Sequence, residues 1–264
     1  MLTDAIKTYQ QRVDQVLSQH LHNLDDAAPT LKAAMTHGAL LGGKRIRPFL
    51  VYSVGNLLNV PITTLDNLAA AIECVHAYSL IHDDLPAMDD DCLRRGQPTV
   101  HIAFDEASAI LAGDALQTLA FDIISTPIDG LSPKQQLAIV KSLAKASGYQ
   151  GMCGGQAIDL SATNQRIELA RLTELHNKKT GALISCAVEM ALIAADANES
   201  DYAALMGYAH HVGLAFQVQD DILDIIASTE ELGKPQGSDQ QSNKSTFPQL
   251  LGLEGAKQTS QQLV

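Results

Sequence analysis

Five aspartates, Asp83, Asp84, Asp89, Asp90 and Asp91, fall within nine residues, and Arg94 and Arg95 follow almost at once. Carboxylates crowded this closely repel one another, so a fold keeps them together only in open water or around cations. The run is approached by an apolar helical pattern, Leu68, Ile72, Val75 and Ser79, which places the acids at the end of a buried helix rather than on a solvated surface. On an uninterrupted helix Asp83 and Asp89 would point roughly 120° apart. Pro86 stands between them, breaks the ladder and lets the chain bend Asp89 back toward Asp83. Hard oxygen ligands without a His–Cys mixture suit Mg²⁺ better than zinc.

A second acid cluster, Asp220, Asp221 and Asp224, lies far along the chain in FQVQDDILD. Asp220 and Asp224 are an i,i+4 pair, a like-charge spacing that calls for a counterion. Two such clusters, each ending an apolar helix, read as two walls of one metal-filled cleft.

The cations are as clustered as the acids. The net charge is -12, which argues against a general nucleic-acid surface. Of the 18 Lys and Arg, seven fall into three groups: Lys44, Arg45 and Arg47; Arg94 and Arg95; Lys178 and Lys179. Basic islands in an acidic protein point to specific anion sites. The first group follows Gly42-Gly43 and precedes an apolar helix, a good diphosphate grip because Arg binds oxygen pairs bidentately. His76 lies seven residues before Asp83, on the same helix face and roughly 10 Å along the axis, where it can meet a second anion.

The elements that must position these residues are helical throughout. Ile6, Val13, Val16 and Leu17 mark a first helix; Pro29 opens a second, closed by Gly42-Gly43. GYQGMCGGQAIDL carries four glycines that let helices cross closely, with Gln156 and Asp159 as polar candidates beside them. From Ile167 to Ala195 a long helical pattern is interrupted at Lys179-Thr180-Gly181. That break is costly, about 1 kcal/mol for the glycine alone, and marks a site. Tyr202 to Ile226 is the helix of the second acid cluster, with Leu205, Ala209, Val212 and Phe216 as its core stripe and Gln217 beside the acids. A polar stretch after it, with Lys234 as its cation nearest the acids, reads as a surface loop able to act as a lid. No β alternation or domain linker is evident. The expectation is one all-α domain, residues 1–264, whose central helices surround a metal-lined cleft. A composition of 46% hydrophobic and 18% charged residues is that of a soluble globular protein. The four cysteines are unpaired in spacing and read as reduced cytosolic thiols. No signal core is seen, and the most apolar stretch, Ala182 to Ala195, is too short to span a bilayer.

Taken together these residues resemble the trans-isoprenyl diphosphate synthases, in particular the bacterial farnesyl diphosphate synthases. The matching landmarks are Asp83-Asp84 to Asp89 with Arg94-Arg95-Gly96, Asp220-Asp221-Ile222-Leu223-Asp224, Gly42 to Pro48, Glu73 to His76, Lys179-Thr180-Gly181, Phe216-Gln217 and Gly233-Lys234. The resemblance implies an isoprenoid-synthase helical bundle that ionises dimethylallyl or geranyl diphosphate and condenses the cation with isopentenyl diphosphate. It implies three Mg²⁺ bound with diphosphate by Asp83, Asp84, Asp89, Asp220, Asp221 and Asp224. Arg94, Lys179 and Lys234 would take the leaving diphosphate, while Gly43, Lys44, Arg47, His76 and Arg95 would take the second. Thr180, Gln217 and the Lys179 carbonyl would stabilise the allylic cation. Tyr78 and Ser79, below the first motif, would set the chain length at fifteen carbons. A cytoplasmic homodimer without membrane insertion or nucleic-acid binding is also implied, using helical faces such as LAFDII. Members of the family continue for about thirty residues beyond Val264 to a basic tail. The rival readings are a geranylgeranyl diphosphate synthase, which would carry a small residue at Tyr78, and a non-catalytic helical subunit, which would lack acids from one motif. A terpene cyclase would show a different second motif and more than 4% aromatic residues.

Overall fold

The structure is a computed structural model that describes residues 2–226 and 245–263. Gly233 and Lys234 lie outside the described residues. The architecture is all-α. The described residues group into two compact units, Met1–Lys141 with Met190–Ala197 and Ser142–Glu189 with Asn198–Val264.

The first unit is built on α1 (Leu2–His22), α2 (Pro29–Leu40), α3 (Ile46–Leu57), α4 (Ile62–Asp83), the single turn α5 (Val100–Ala103), α6 (Glu106–Ser125) and most of α7 (Pro133–Ser147). Helix α4 is buried on almost every side, with Leu65, Leu68, Ile72 and Val75 fully enclosed. A helix apolar all round belongs at the centre, and α3 and α6 pack against it. Helix α6 is long and apolar enough by composition to cross a bilayer. Here its Ala112, Leu116, Ala120 and Ile124 are buried. Among the described residues the sole strands are β1 (Leu93–Arg94) and β2 (Gln97–Pro98), an antiparallel pair with Arg94 opposite Gln97.

The second unit contains α8 (Met152–Ala162), α9 (Leu169–His176), a π-helical turn at Asn177–Gly181, the first part of α10 (Ala182–Ala194), α11 (Glu199–Ile226) and α12 (Phe247–Gln262). Leu172, Val218, Ile222, Phe247 and Ala256 form one core cluster. The expected interruption at Lys179-Thr180-Gly181 takes the form of this π turn: α9 runs into α10 and absorbs the irregularity as one wide turn instead of a kink. The Ala182 to Ala195 stretch packs inward as expected, with Leu183, Ile184, Ala187 and Val188 buried. The core stripe of α11 differs from the sequence expectation. It passes through Ala209, Gly213, Val218 and Ile222, and Phe216 is 39% exposed. Gly213 lies against Gly181 on the inward face, where an added Cβ would come within 3.1 Å of the Gly181 Cα.

All four cysteines are free, with Cys74 and Cys186 buried and Cys92 and Cys153 exposed.

Candidate functional site

In the first unit α4 ends at Asp83, and the chain reverses through Pro86. The Asp89 N–H then donates to the Asp83 carbonyl at 2.9 Å, so the reversal expected from Pro86 brings these two residues together. The acids of the motif are not equivalent. Asp83 is half-buried and Asp89 exposed, whereas Asp84 is buried beneath Arg94. Arg94 Nε donates to both Asp84 oxygens, at 2.8 and 2.9 Å. Burial raises the Asp84 carboxyl above its ordinary range, against the pull of Arg94. Burial also opposes the Arg94 charge, but the Asp84 carboxylate prevails and raises it.

Arg95 and Gly96 form the two-residue connection between β1 and β2, both with positive φ, 54° and 75°. A left-handed arginine is strained by about 1–3 kcal/mol and persists where its surroundings hold it. Arg95 Nη1 donates to the Gly42 carbonyl, and the guanidinium lies over Gly43. The φ of +127° at Gly43 is the reason for glycine there. Arg47 shares this environment. Its Nε is buried without a partner, and burial, helped by the Arg95 charge, lowers its guanidinium. Burial and Arg45 do the same to Arg95. Burial, reinforced by Arg47 and Arg95, drives the His76 imidazole well below the ordinary histidine range. His76 is therefore a neutral hydrogen-bonding group among cations, and an anion here would relieve the mutual repulsion. Lys44 is exposed at the edge of the same loop.

Arg45 departs from the expectation of a three-cation grip. It is buried and faces inward, donating to Asp14 at 2.8 Å, Glu73 at 2.7 Å and the Ala39 carbonyl at 2.8 Å. Its left-handed backbone, φ 50°, turns the chain into α3 and points the side chain into the helix packing. Tyr78 is buried, with its ring edge-on to His82 at 5.8 Å, and the Ser79 hydroxyl donates to the His76 carbonyl.

In the second unit a pocket of 220 Å³ is lined by Asp159, His176, Lys179, Gln217, Asp220 and Asp221, among others. Lys179 Nζ donates to Asp159 Oδ2 at 2.6 Å. The geometry depends on a glycine. A Cβ on Gly155 would lie 2.2 Å from the Lys179 nitrogen and 2.6 Å from its Cα, so only glycine lets α8 rest on the π turn. Asp159, one turn further along α8, thereby reaches Lys179. Thr180 is half-buried in the same turn.

The acids of this motif also divide. Asp220 is exposed, whereas Asp221 and Asp224 are buried. The i,i+4 pair therefore does not share one solvent face. Asp221 Oδ2 accepts the Phe247 N–H at 2.8 Å and so ties α11 to the start of α12. The sequence does not single out His176, and it offers Asp159 as a polar candidate without its pairing to Lys179. The glycine-rich segment was the available signal for the latter, and the helical spacing of His176 to Lys179 for the former.

Among the described residues no three His, Cys, Asp or Glu side chains converge as a preformed metal cage. The accessible acids Asp83, Asp89 and Asp220 are all-oxygen donors. Carboxylates of this kind, taken at either motif by itself, fit Mg²⁺, which keeps several waters and is commonly bound by one or two carboxylates plus substrate phosphates.

The chain is 53% identical over 256 residues to the farnesyl diphosphate synthase of Escherichia coli (strain K12), covering 96% of this chain and 86% of that protein. The crystal structure of an FPP/GFPP synthase from Zymomonas mobilis superposes with a TM-score of 0.89 at 41% identity, covering 100% of this chain and 90% of that one. A geranyltransferase from Helicobacter pylori, solved in complex with magnesium and isoprenyl diphosphate, gives 0.83 at 38% identity, covering 98% and 88%. The polyprenyl synthetase family model matches residues 28–264. The chain belongs to the polyprenyl synthetase family.

Proposed function

We propose that this protein is a short-chain prenyltransferase, which condenses isopentenyl diphosphate with dimethylallyl or geranyl diphosphate to give farnesyl diphosphate and inorganic diphosphate. The observation that carries the reading is the chain reversal that hydrogen-bonds Asp89 to Asp83 while Arg94 is locked on Asp84. It leaves accessible acids at a first motif, as Asp220 does at a second. The likeness to the synthases described above supports it. The reading takes residues 1–264 as one functional domain.

Asp83, Asp89 and Asp220, with Asp84, Asp221 and Asp224 behind them, would hold Mg²⁺; three ions bound with diphosphate is the proposed number. Metal bound there would supply Lewis-acid neutralisation of charge building on the leaving diphosphate. Lys179 and Arg94 add fixed positive charge there, and Asp159 orients the Lys179 ammonium; Lys234, outside the described residues, is proposed as a third cation on the strength of the sequence alone. The allylic C–O bond breaks with its electron pair leaving on diphosphate. Thr180, Gln217 and the Lys179 carbonyl face the resulting cation with oxygen lone pairs. Arg47, Arg95 and Lys44 bind the diphosphate of isopentenyl diphosphate, with neutral His76 as hydrogen-bond donor and Gly43 beneath Arg95. The alkene electrons form the new C–C bond, and the departing proton passes to the released diphosphate. Tyr78, with Ser79 beside it, closes the floor at fifteen carbons. We place the reaction in the cytoplasm, in a homodimer.

The test is release of inorganic diphosphate from isopentenyl and dimethylallyl diphosphates with Mg²⁺, abolished by a chelator. Absence of release from the folded protein would favour the non-catalytic subunit. Tyr78→Ala is expected to lengthen the product; an unchanged product distribution would remove Tyr78 from the floor.

A further inference from the structure

His176 ends α9 and caps the π turn that carries Lys179. It is 9% exposed, and its Nε2 is buried without a hydrogen-bond partner. A buried polar atom left unsatisfied costs about 1–3 kcal/mol, so the working state has a reason to supply a partner. The acceptor at hand is Asp221 Oδ2, 3.7 Å from Nε2. That same oxygen accepts the Phe247 N–H, and the imidazole stacks on the Phe247 ring at 5.8 Å and 19°. His176 therefore touches three parts of the pocket wall at once: the π turn, the second acid motif and the start of α12. It lines the pocket with Lys179, Gln217 and Asp220.

We propose that His176 is a positioning residue for the second acid motif, its Nε2–H closing onto Asp221 Oδ2 and fixing that carboxylate when metal and diphosphate enter the pocket. A hydrogen-bond donor behind a metal-binding carboxylate sets its orientation, and loss of such partners typically weakens metal affinity 10–100-fold. The inference rests on the reading of Asp221 as part of a magnesium and diphosphate site.

Two substitutions separate donation from packing. His176→Phe keeps a ring against Phe247 and removes the donor; His176→Gln removes the ring and keeps an N–H near the Nε2 position. The readout is the Mg²⁺ concentration that gives half of the thermal stabilisation produced with inorganic diphosphate, which needs no turnover. The expected result is a midpoint raised about tenfold or more in His176→Phe, and a midpoint near the parent's in His176→Gln. His176→Leu replaces the phenylalanine variant if the latter does not fold. An unchanged midpoint in the donorless variant, or equal shifts in both variants, would overturn the proposal. A raised substrate KM with an unchanged Mg²⁺ midpoint would place the imidazole on the substrate and overturn it as well. A parent protein that shows no stabilisation by Mg²⁺ and diphosphate would overturn the function reading first, and this inference with it.

Discussion

Gly155→Ala tests how the π turn is held. The added Cβ would sit 2.2 Å from the Lys179 nitrogen, 2.6 Å from its Cα and 2.8 Å from the Lys178 carbonyl carbon. All three are backbone atoms, so no side chain can swing aside, and α8 must move outward by about 1 Å to regain ordinary contact. Overpacking of this kind costs about 1–3 kcal/mol, with the rigid backbone placing it at the upper end. Replacing a helical glycine by alanine returns about 1 kcal/mol. The net loss is about 2 kcal/mol, a fall in Tm of roughly 4–8 °C for a chain of this size. The same movement withdraws Asp159 from Lys179 Nζ, now 2.6 Å away. A displacement of about 1 Å in a positioning group can cost 10²-fold in rate, so kcat is expected to fall about a hundredfold. Gly207→Ala is the control, because its Cβ meets nothing within 4 Å. It should raise stability by about 0.5–1 kcal/mol. Calorimetry and steady-state kinetics on the two variants decide the matter. A Gly155→Ala protein that melts at or above the parent temperature with unchanged kcat would refute the packing argument.

Three further outcomes are expected. Asn in place of Asp83, Asp89 or Asp220 should leave stability within about 0.5 kcal/mol of the parent while sharply lowering Mg²⁺-dependent turnover. Asn in place of Asp84, which is locked to Arg94, should cost about 1.5–3 kcal/mol in chemical denaturation. Removing Arg45 leaves Glu73 buried and unpaired and should cost about 3–5 kcal/mol, whereas Lys44→Ala should alter substrate affinity and not the melting curve. Burial lowers both His20 and His76, with Asp122 partly opposing it at His20 and arginine charges adding to it at His76. The folded protein thus keeps both neutral while the unfolded chain takes up protons below about pH 6.5. Their contribution is present above that pH and is lost as pH falls toward the lowered folded values. Urea titrations at pH 7.5 and 5.5 should show the loss, and His20→Asn should reduce it.

The helices and the positions of the motifs were legible because hydrophobic periodicity and punctuation by Pro and Gly are local signals. Helix α4 reads as central from Leu68, Ile72 and Val75, and Pro86 announces the reversal after Asp83. Which acid of each pair faces solvent was not legible. Neighbouring helical residues point about 100° apart, and tertiary packing alone decides that Asp84 meets Arg94 and Asp221 meets Phe247. Arg45 misled for the same reason, since a cation among cations reads as a ligand group until Asp14 and Glu73 appear beside it. The Lys179 break was visible as a conflict between glycine and an apolar helix. Its resolution into a π turn depended on Gly155 and Gly213, brought against it by the fold. His176 gave no sign of its position behind Asp221, because the two are far apart in sequence.

The most direct test of the central claim is the product formed from geranyl diphosphate and isopentenyl diphosphate. After dephosphorylation and chromatography, the Mg²⁺ sample should yield farnesol and the chelated sample none. A folded protein that leaves both substrates unchanged, or that forms the same product without divalent metal, would contradict the account.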